Sequence, residues 1–104
     1  MKIGVQLNPQ VSVGKSPESL MPTLIEQVRA ADQSGFHAFS MGEHYNIPAL
    51  QRVHQIPALA RLCAEVKRCE VGTAVMLLGL RHPVTVANEL ATLDVINNGR
   101  SFAA

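Results

Sequence analysis

The sequence predicts an α/β fold in which parallel strands are joined by helical crossovers. Two observations carry the prediction. Short apolar runs suited to buried strands alternate three times with longer stretches whose apolar residues recur at helical spacing. The transitions between them fall at Gly, Pro, Asn or Ser, which interrupt regular structure. Repetition of this kind makes consecutive strands parallel, because a right-handed crossover returns each strand in the same direction.

The first strand is expected at residues 3–7, "IGVQL", stopped by Asn8 and Pro9, with Gly14 through Pro17 continuing as loop. A helix follows from near Ser19–Pro22 to about Ser34. Leu24, Ile25, Val28 and Ala31 share its apolar face, and Glu26, Gln27 and Arg29 point away. Gly35 stands just past its end, where a left-handed residue closes a helix. The second strand is expected at 36–41, followed by an irregular stretch. A second helix is expected from about Gln55 to Lys67, with Ile56, Leu59, Ala60, Cys63 and Val66 as its stripe. Pro57 falls in its first turn, where a missing N–H costs little. The third strand, "EVGTAVMLL", covers about 70–78. Pro83 opens a third helix to about Ile96, which Asn98-Gly99 end.

Strand side chains alternate between faces. Ile3, Val5 and Leu7, with Val71, Thr73, Val75 and Leu77, form a branched face suited to covering helices. Gly4, Gln6 and Asn8, with Ala38, Ser40, Gly72, Ala74 and Met76, form the opposite one, mostly small or polar. Such a face suits a barrel interior or an approaching ligand. If the alternation runs on past Gly42, His44 points the same way.

Composition excludes several classes. The chain has 104 residues, 47% hydrophobic and 16% charged, which is globular and sized for one domain, residues 1–104. The net charge is +1 and the basic residues are scattered, so neither nucleic acid nor an acidic lipid surface is an expected partner. No apolar run reaches the roughly 20 residues that span a bilayer. The N-terminus lacks the long apolar stretch of a signal peptide, so the chain is expected to be cytoplasmic. Cys63 and Cys69 lack metal-ligand spacing and are expected to be buried structural thiols; no metal site is expected. Gly-rich dinucleotide and phosphate loops, H-E-x-x-H and G-x-S-x-G are all absent.

In both barrels and doubly wound sheets, ligands bind at the carboxyl edge of the strands. That directs attention to Asn8, to Gly42–His44 and to the region of Leu78–His82. "GEHY", residues 42–45, sets a carboxylate and an imidazole side by side at the end of the second strand. His44 is a candidate proton shuttle, since imidazole titrates near neutrality; its structural alternative is a rim histidine in a solvated loop. Glu43 either serves the site or caps the edge or pairs with Arg52. Gln6 and Asn8 either line a pocket or are ordinary polar strand ends. His82 is expected to start the helix at Pro83, Asp94 to hold a backbone or Arg group, and His37 and His54 to lie on the surface without partners. A doubly wound nucleotide-binding domain would need a Gly-rich first turn. "LNPQVSVGKS" holds only Gly14, so that reading ranks last.

"GEHY", together with the block "VGTAVMLLGLRHPVTVANELATLDVINNGR" at residues 71–100, resembles the N-terminal part of the luciferase-like flavin monooxygenases. The resemblance implies the first three β-α units of a (β/α)8 barrel, a fold of about 250 residues that is incomplete in this chain. The ending "GRSFAA" departs from the family's pattern where a fourth strand should begin. The implied activity is oxidation of a small organic substrate, such as an aldehyde or sulfonate, by reduced FMN and oxygen. A deazaflavin replaces FMN in some members, and a flavin reductase is the implied partner. By resemblance, His44 is the catalytic residue at the flavin's reactive edge. Glu43, Ala74 and Val75 are the implied cofactor contacts, with a bulge and a non-prolyl cis peptide at Ala74-Val75. The family often has a second His where this chain has Tyr45. The segment is expected to be inactive alone and to self-associate through exposed barrel edges. The alternative is a non-catalytic truncated α/β module or degenerate fragment.

Overall fold

The computed structural model describes every residue from Met1 to Ala104. Its nine principal elements are β1 (Gly4–Leu7), β2 (Gln10–Ser12), α1 (Leu20–Gln33), β3 (Ala38–Met41), β4 (Leu50–Arg52), α2 (Gln55–Cys63), β5 (Glu70–Thr73), α3 (Pro83–Ile96) and β6 (Ser101–Phe102). The main sheet has the order β1-β3-β5-β6, parallel throughout. The expected α/β architecture is therefore present, and each strand delivers its carboxyl end to the same edge.

One face of the sheet is dry. Leu7, Phe39, Met41 and Val71 are buried there against Leu24 and Val28 of α1, Leu59 and Leu62 of α2, and Leu93 of α3. The helices form where their apolar spacing predicts. Gly35 closes α1 at φ 86°, a left-handed value that a side chain resists. His82 caps α3 as expected, its Nδ1 accepting the Val84 N–H at 3.3 Å. The opposite face carries Gly4, Gln6, Ala38 and Ser40 and is left open. Phe102, the register partner of Gly72, lays its ring there. A Cβ on Gly72 would meet that ring at 2.5 Å, so only glycine fits the position.

Four expectations need correction. The third strand ends at Thr73, not Leu78: the Ala74-Val75 peptide is cis, at the place the resemblance implies, and the chain turns through a single 3-10 turn at Leu78–Leu80. The alternation of faces breaks with it, leaving Val75 58% exposed and Met76 buried at 7%. The second helix ends at Cys63, four residues early. The Asp32 carboxylate at the end of α1 accepts the N–H groups of Lys67, Arg68 and Cys69 at 3.2, 2.9 and 2.8 Å, which draws that segment into a turn. A fourth strand does form, since Ser101 and Phe102 pair with Val71 and Gly72. Finally, unassigned residues 10–12 and part of the stretch expected to be irregular after the second strand pair as an antiparallel ribbon, β2 with β4.

Candidate functional site

The site is built where β1, β3 and β5 end. Past β3, Gly42 passes so close to the third strand's continuation that a Cβ on it would lie 3.0 Å from the Ala74 carbonyl oxygen. That oxygen accepts a hydrogen bond from Gln6 Nε2 at 2.9 Å, so β1 is tied to the same point. From beneath, the buried Gln55 amide donates to the carbonyls of Met41 at 2.5 Å and Val75 at 3.3 Å. Three strand ends are thus held around Ala74-Val75 by side-chain amides as well as by the ladder. Gln55 Oε1 is buried and has no partner.

His44 comes next. It is exposed and lines a cleft of about 320 Å³ with Gln6, Asn8, Gly42 and Arg52. A second cleft, of about 420 Å³, opens outward between His44, Tyr45, Ile47 and Arg52. Its imidazole is therefore open to a ligand in either. Glu43 points elsewhere: it is buried and accepts from Arg81 Nη2 at 2.7 Å, the Leu77 N–H at 2.6 Å and the Tyr45 hydroxyl at 3.1 Å. Burial pushes its carboxyl up, but those donors and the Arg81 charge outweigh it and hold the group below the ordinary range. Arg81 also reaches Glu89 at 2.8 Å and His54 Nε2 at 3.1 Å. The hydrogen bond that Arg81 donates to Glu43 strengthens its hold on its proton.

Glu43 was expected to pair with Arg52 if it paired at all; the structure gives it Arg81, while Arg52 donates to Gln10 Oε1. His54 and His37 do have partners, Arg81 and Glu70 respectively. Asp94 holds a backbone group, the Ser101 N–H at 3.0 Å. Cys63 and Cys69 are free and buried, and burial pushes both thiols up to about 11. Gln6 and Asn8 line the cleft that His44 shares. Arg81 and Gln55 escaped sequence reading. For Gln55 a signal existed, since it shares the i, i+4, i+8 stripe of Leu59 and Cys63, where a polar residue needs buried partners. Arg81 stands within the stretch Leu78–His82 marked at the strand edge, but its partners Glu43 and His54 lie far along the chain and leave no local signal.

Comparison with known proteins bears on this edge. A family model described as luciferase-like monooxygenase matches residues 1–102. The oxygenase component of a flavin-dependent trigonelline monooxygenase from Acinetobacter baylyi is 31% identical over 91 residues, 88% of this chain and 25% of that protein. The chain thus spans about a quarter of that relative's length. Among solved structures, the oxygenating constituent of 3,6-diketocamphane monooxygenase from Pseudomonas putida, in complex with FMN, superposes with TM-score 0.87. It is 22% identical, and the match covers 99% of this chain and 28% of that one. A coenzyme F420-dependent tetrahydromethanopterin reductase from Methanopyrus kandleri superposes with TM-score 0.79 at 22% identity, covering 98% of this chain and 26% of that one. At such identities these two likenesses speak to the fold, and the fold they share with this chain is that of luciferase-like barrels.

Proposed function

The chain belongs to the luciferase-like monooxygenase family, and from that premise we propose that it forms the His44-bearing wall of a flavin site. The enzyme so built oxidises a small organic substrate with reduced FMN and oxygen. The observation that carries the reading is the placement of an exposed imidazole beside a close-packed, small-residue strand edge that forms a shallow floor.

The residues present fit a flavin ring. Gly42 and Ala74 bring two strand ends together with no side chain between them, and exposed Val75 offers apolar surface beside them. Ala74 and Val75 would contact the ring, and Glu43 would hold the loop that presents His44. When bound, the flavin supplies the electrons and activates oxygen; a deazaflavin would supply hydride chemistry instead. His44 accepts or returns a proton at the reacting edge, a role that an imidazole with two ring nitrogens can fill. The Glu43–Arg81 pair and the Gln55 amide fix the backbone that leads into it, so the imidazole starts from a defined position.

The phosphate-binding groups, and with them full activity, lie on β-α units beyond those of this chain, and a separate reductase supplies reduced flavin in the cytoplasm. By itself the segment is inactive. One observation favours a second reading, a non-catalytic α/β module: the sheet has unpartnered strands at both edges, β1 and β6. Sequencing the coding DNA past codon 104 in all three frames separates the two. A Gly-x-Gly strand and further β-α units support the enzyme. In the resulting protein, His44→Asn should lower kcat about 100-fold or more while FMN still binds. Coding DNA with no such units in any frame, or unchanged turnover, would sink the reading.

A further inference from the structure

We propose that Arg52 is a specificity determinant that reads an oxyanion, in the first place a carboxylate, on the organic substrate. The inference rests on the oxidoreductase reading of the same site and adds the substrate's chemical class to it.

Arg29 and Arg61 share Glu65, and Arg81 lies between Glu43 and Glu89. Arg52 is half-buried, yet no carboxylate of the chain lies within 4.0 Å of it. Glu43 is the acid that lines a cleft with Arg52, and Arg81, Leu77 and Tyr45 already engage it. What holds Arg52 is neutral. Its Nε and Nη2 both donate to Gln10 Oε1, at 3.0 and 2.7 Å, across the β2–β4 ribbon in which the two residues are register partners. That contact fixes the guanidinium plane without cancelling its charge. A guanidinium has five N–H donors, and two are used here. The other three have no partner within the chain.

Position supplies the second half. Arg52 lines three clefts at the carboxyl edge, and His44 lines each of them too. The cleft of about 320 Å³ adds the amides of Gln6 and Asn8. A pre-oriented planar fork with an uncompensated charge suits a carboxylate better than an alcohol or a neutral carbonyl. A partly desolvated cation is costly to hold unpaired, and an anionic ligand removes that cost. Its carboxylate on Arg52 would leave the substrate's other end toward His44.

The same oxyanion chemistry could come from the FMN phosphate, and the test separates the two. The ¹⁵N-labelled chain is titrated with benzoate and with benzamide, following Arg52 Nε–Hε and the amides of Asn8 and His44. Benzoate should bind about fivefold tighter than benzamide, the worth of one solvent-accessible charge pair. Arg52→Gln should abolish the preference. Arg52→Lys, which keeps the charge and loses the fork, should retain part of it, and also covers the case in which the Gln variant fails to fold. Equal affinities, a preference that survives Arg52→Gln, or no benzoate shift at any reachable concentration overturns the proposal. Titrations with FMN and riboflavin, made on the protein extended through the β-α units that hold the phosphate, complete the set. If Arg52→Gln weakens FMN and not riboflavin, the oxyanion is the cofactor's phosphate and the substrate assignment falls. A benzoate preference without flavin binding keeps Arg52 as an anion reader and counts against the flavin reading alone. Flavin binding without the preference does the reverse.

Discussion

Glu43 is a buried carboxylate whose oxygens are engaged by groups of the chain itself. Its side chain is 4% exposed and that of Arg81 9%, so the pair is buried, and each oxygen of the carboxylate has a donor. Replacing Glu43 with Gln leaves the Arg81 cation with only the half-buried Glu89. Leaving a buried charge part-paired should cost about 2 kcal/mol in chemical denaturation. The pH dependence has a defined sign. A carboxyl held below its ordinary 4.5 binds its proton more readily in the unfolded chain. Its stabilisation is therefore complete above that pH and is lost as the pH falls below it. Asp32, held below its ordinary 3.8 by three backbone N–H groups that outweigh its burial, adds to the same acid limb. Unfolding free energy should be flat from neutrality to about pH 5 and then fall. Glu43→Gln should flatten that limb, and an unchanged limb in the variant would show that the pair does not drive it. Sequence reading could place Glu43 and His44 at the edge because strand ends are visible in a linear pattern. Side-chain alternation pointed His44 to the open face, but the buried pairing of Glu43 was not legible, because it depends on Arg81, 38 residues away.

Among the elements, the helices were the most legible. Long stripes average out local noise, and α3 begins and ends at Pro83 and Ile96, where its punctuation places it. The third strand was overread because an apolar run does not reveal that the backbone turns at Ala74-Val75. The β2–β4 ribbon was invisible for a different reason. Each strand has three residues, and the Gln10–Arg52 contact joins positions 42 apart, so neither periodicity nor a hairpin turn announces it. The ribbon nevertheless carries Arg52 to the cleft, so the least legible element positions part of the site. The turn after α2 was missed because its organiser, Asp32, sits on another helix. That turn makes a prediction at its own scale. Asp32→Ala removes the acceptor of three N–H groups at once and leaves the Cys69 amide, in a half-buried setting, unpaired. A loss of about 2–3 kcal/mol is expected, with hydrogen exchange accelerating first at residues 67–69. Protection there that matches the wild type would show that the turn forms without its cap.

Taken whole, the molecule is a well-packed half-layer. One side of its sheet buries a core of 17 residues under three helices, while the other presents Gly4, Gln6, Ala38 and Ser40 with only Phe102 laid across it. The consequence is measurable in its surface. Accessible area is 6223 Å², against roughly 5,700 Å² for a compact monomer of this mass. The radius of gyration is 13.5 Å, against about 12.8 Å for a domain of this length. Open parallel sheets rarely leave a face or an edge uncovered, because unpaired strand groups template further pairing. β1 and β6 are both such edges. The isolated chain should therefore associate as its concentration rises, with weight-average mass in sedimentation equilibrium climbing above that of a monomer. The association should be through strands, not helices. A charge at the exposed head of the β1 edge, Ile3→Lys, should shift it toward monomer, whereas Val95→Lys on the exposed side of α3 should not. A chain that stays monomeric throughout would mean that the open face tolerates water without a partner. Association weakened by the α3 substitution instead would move the interface to the helices.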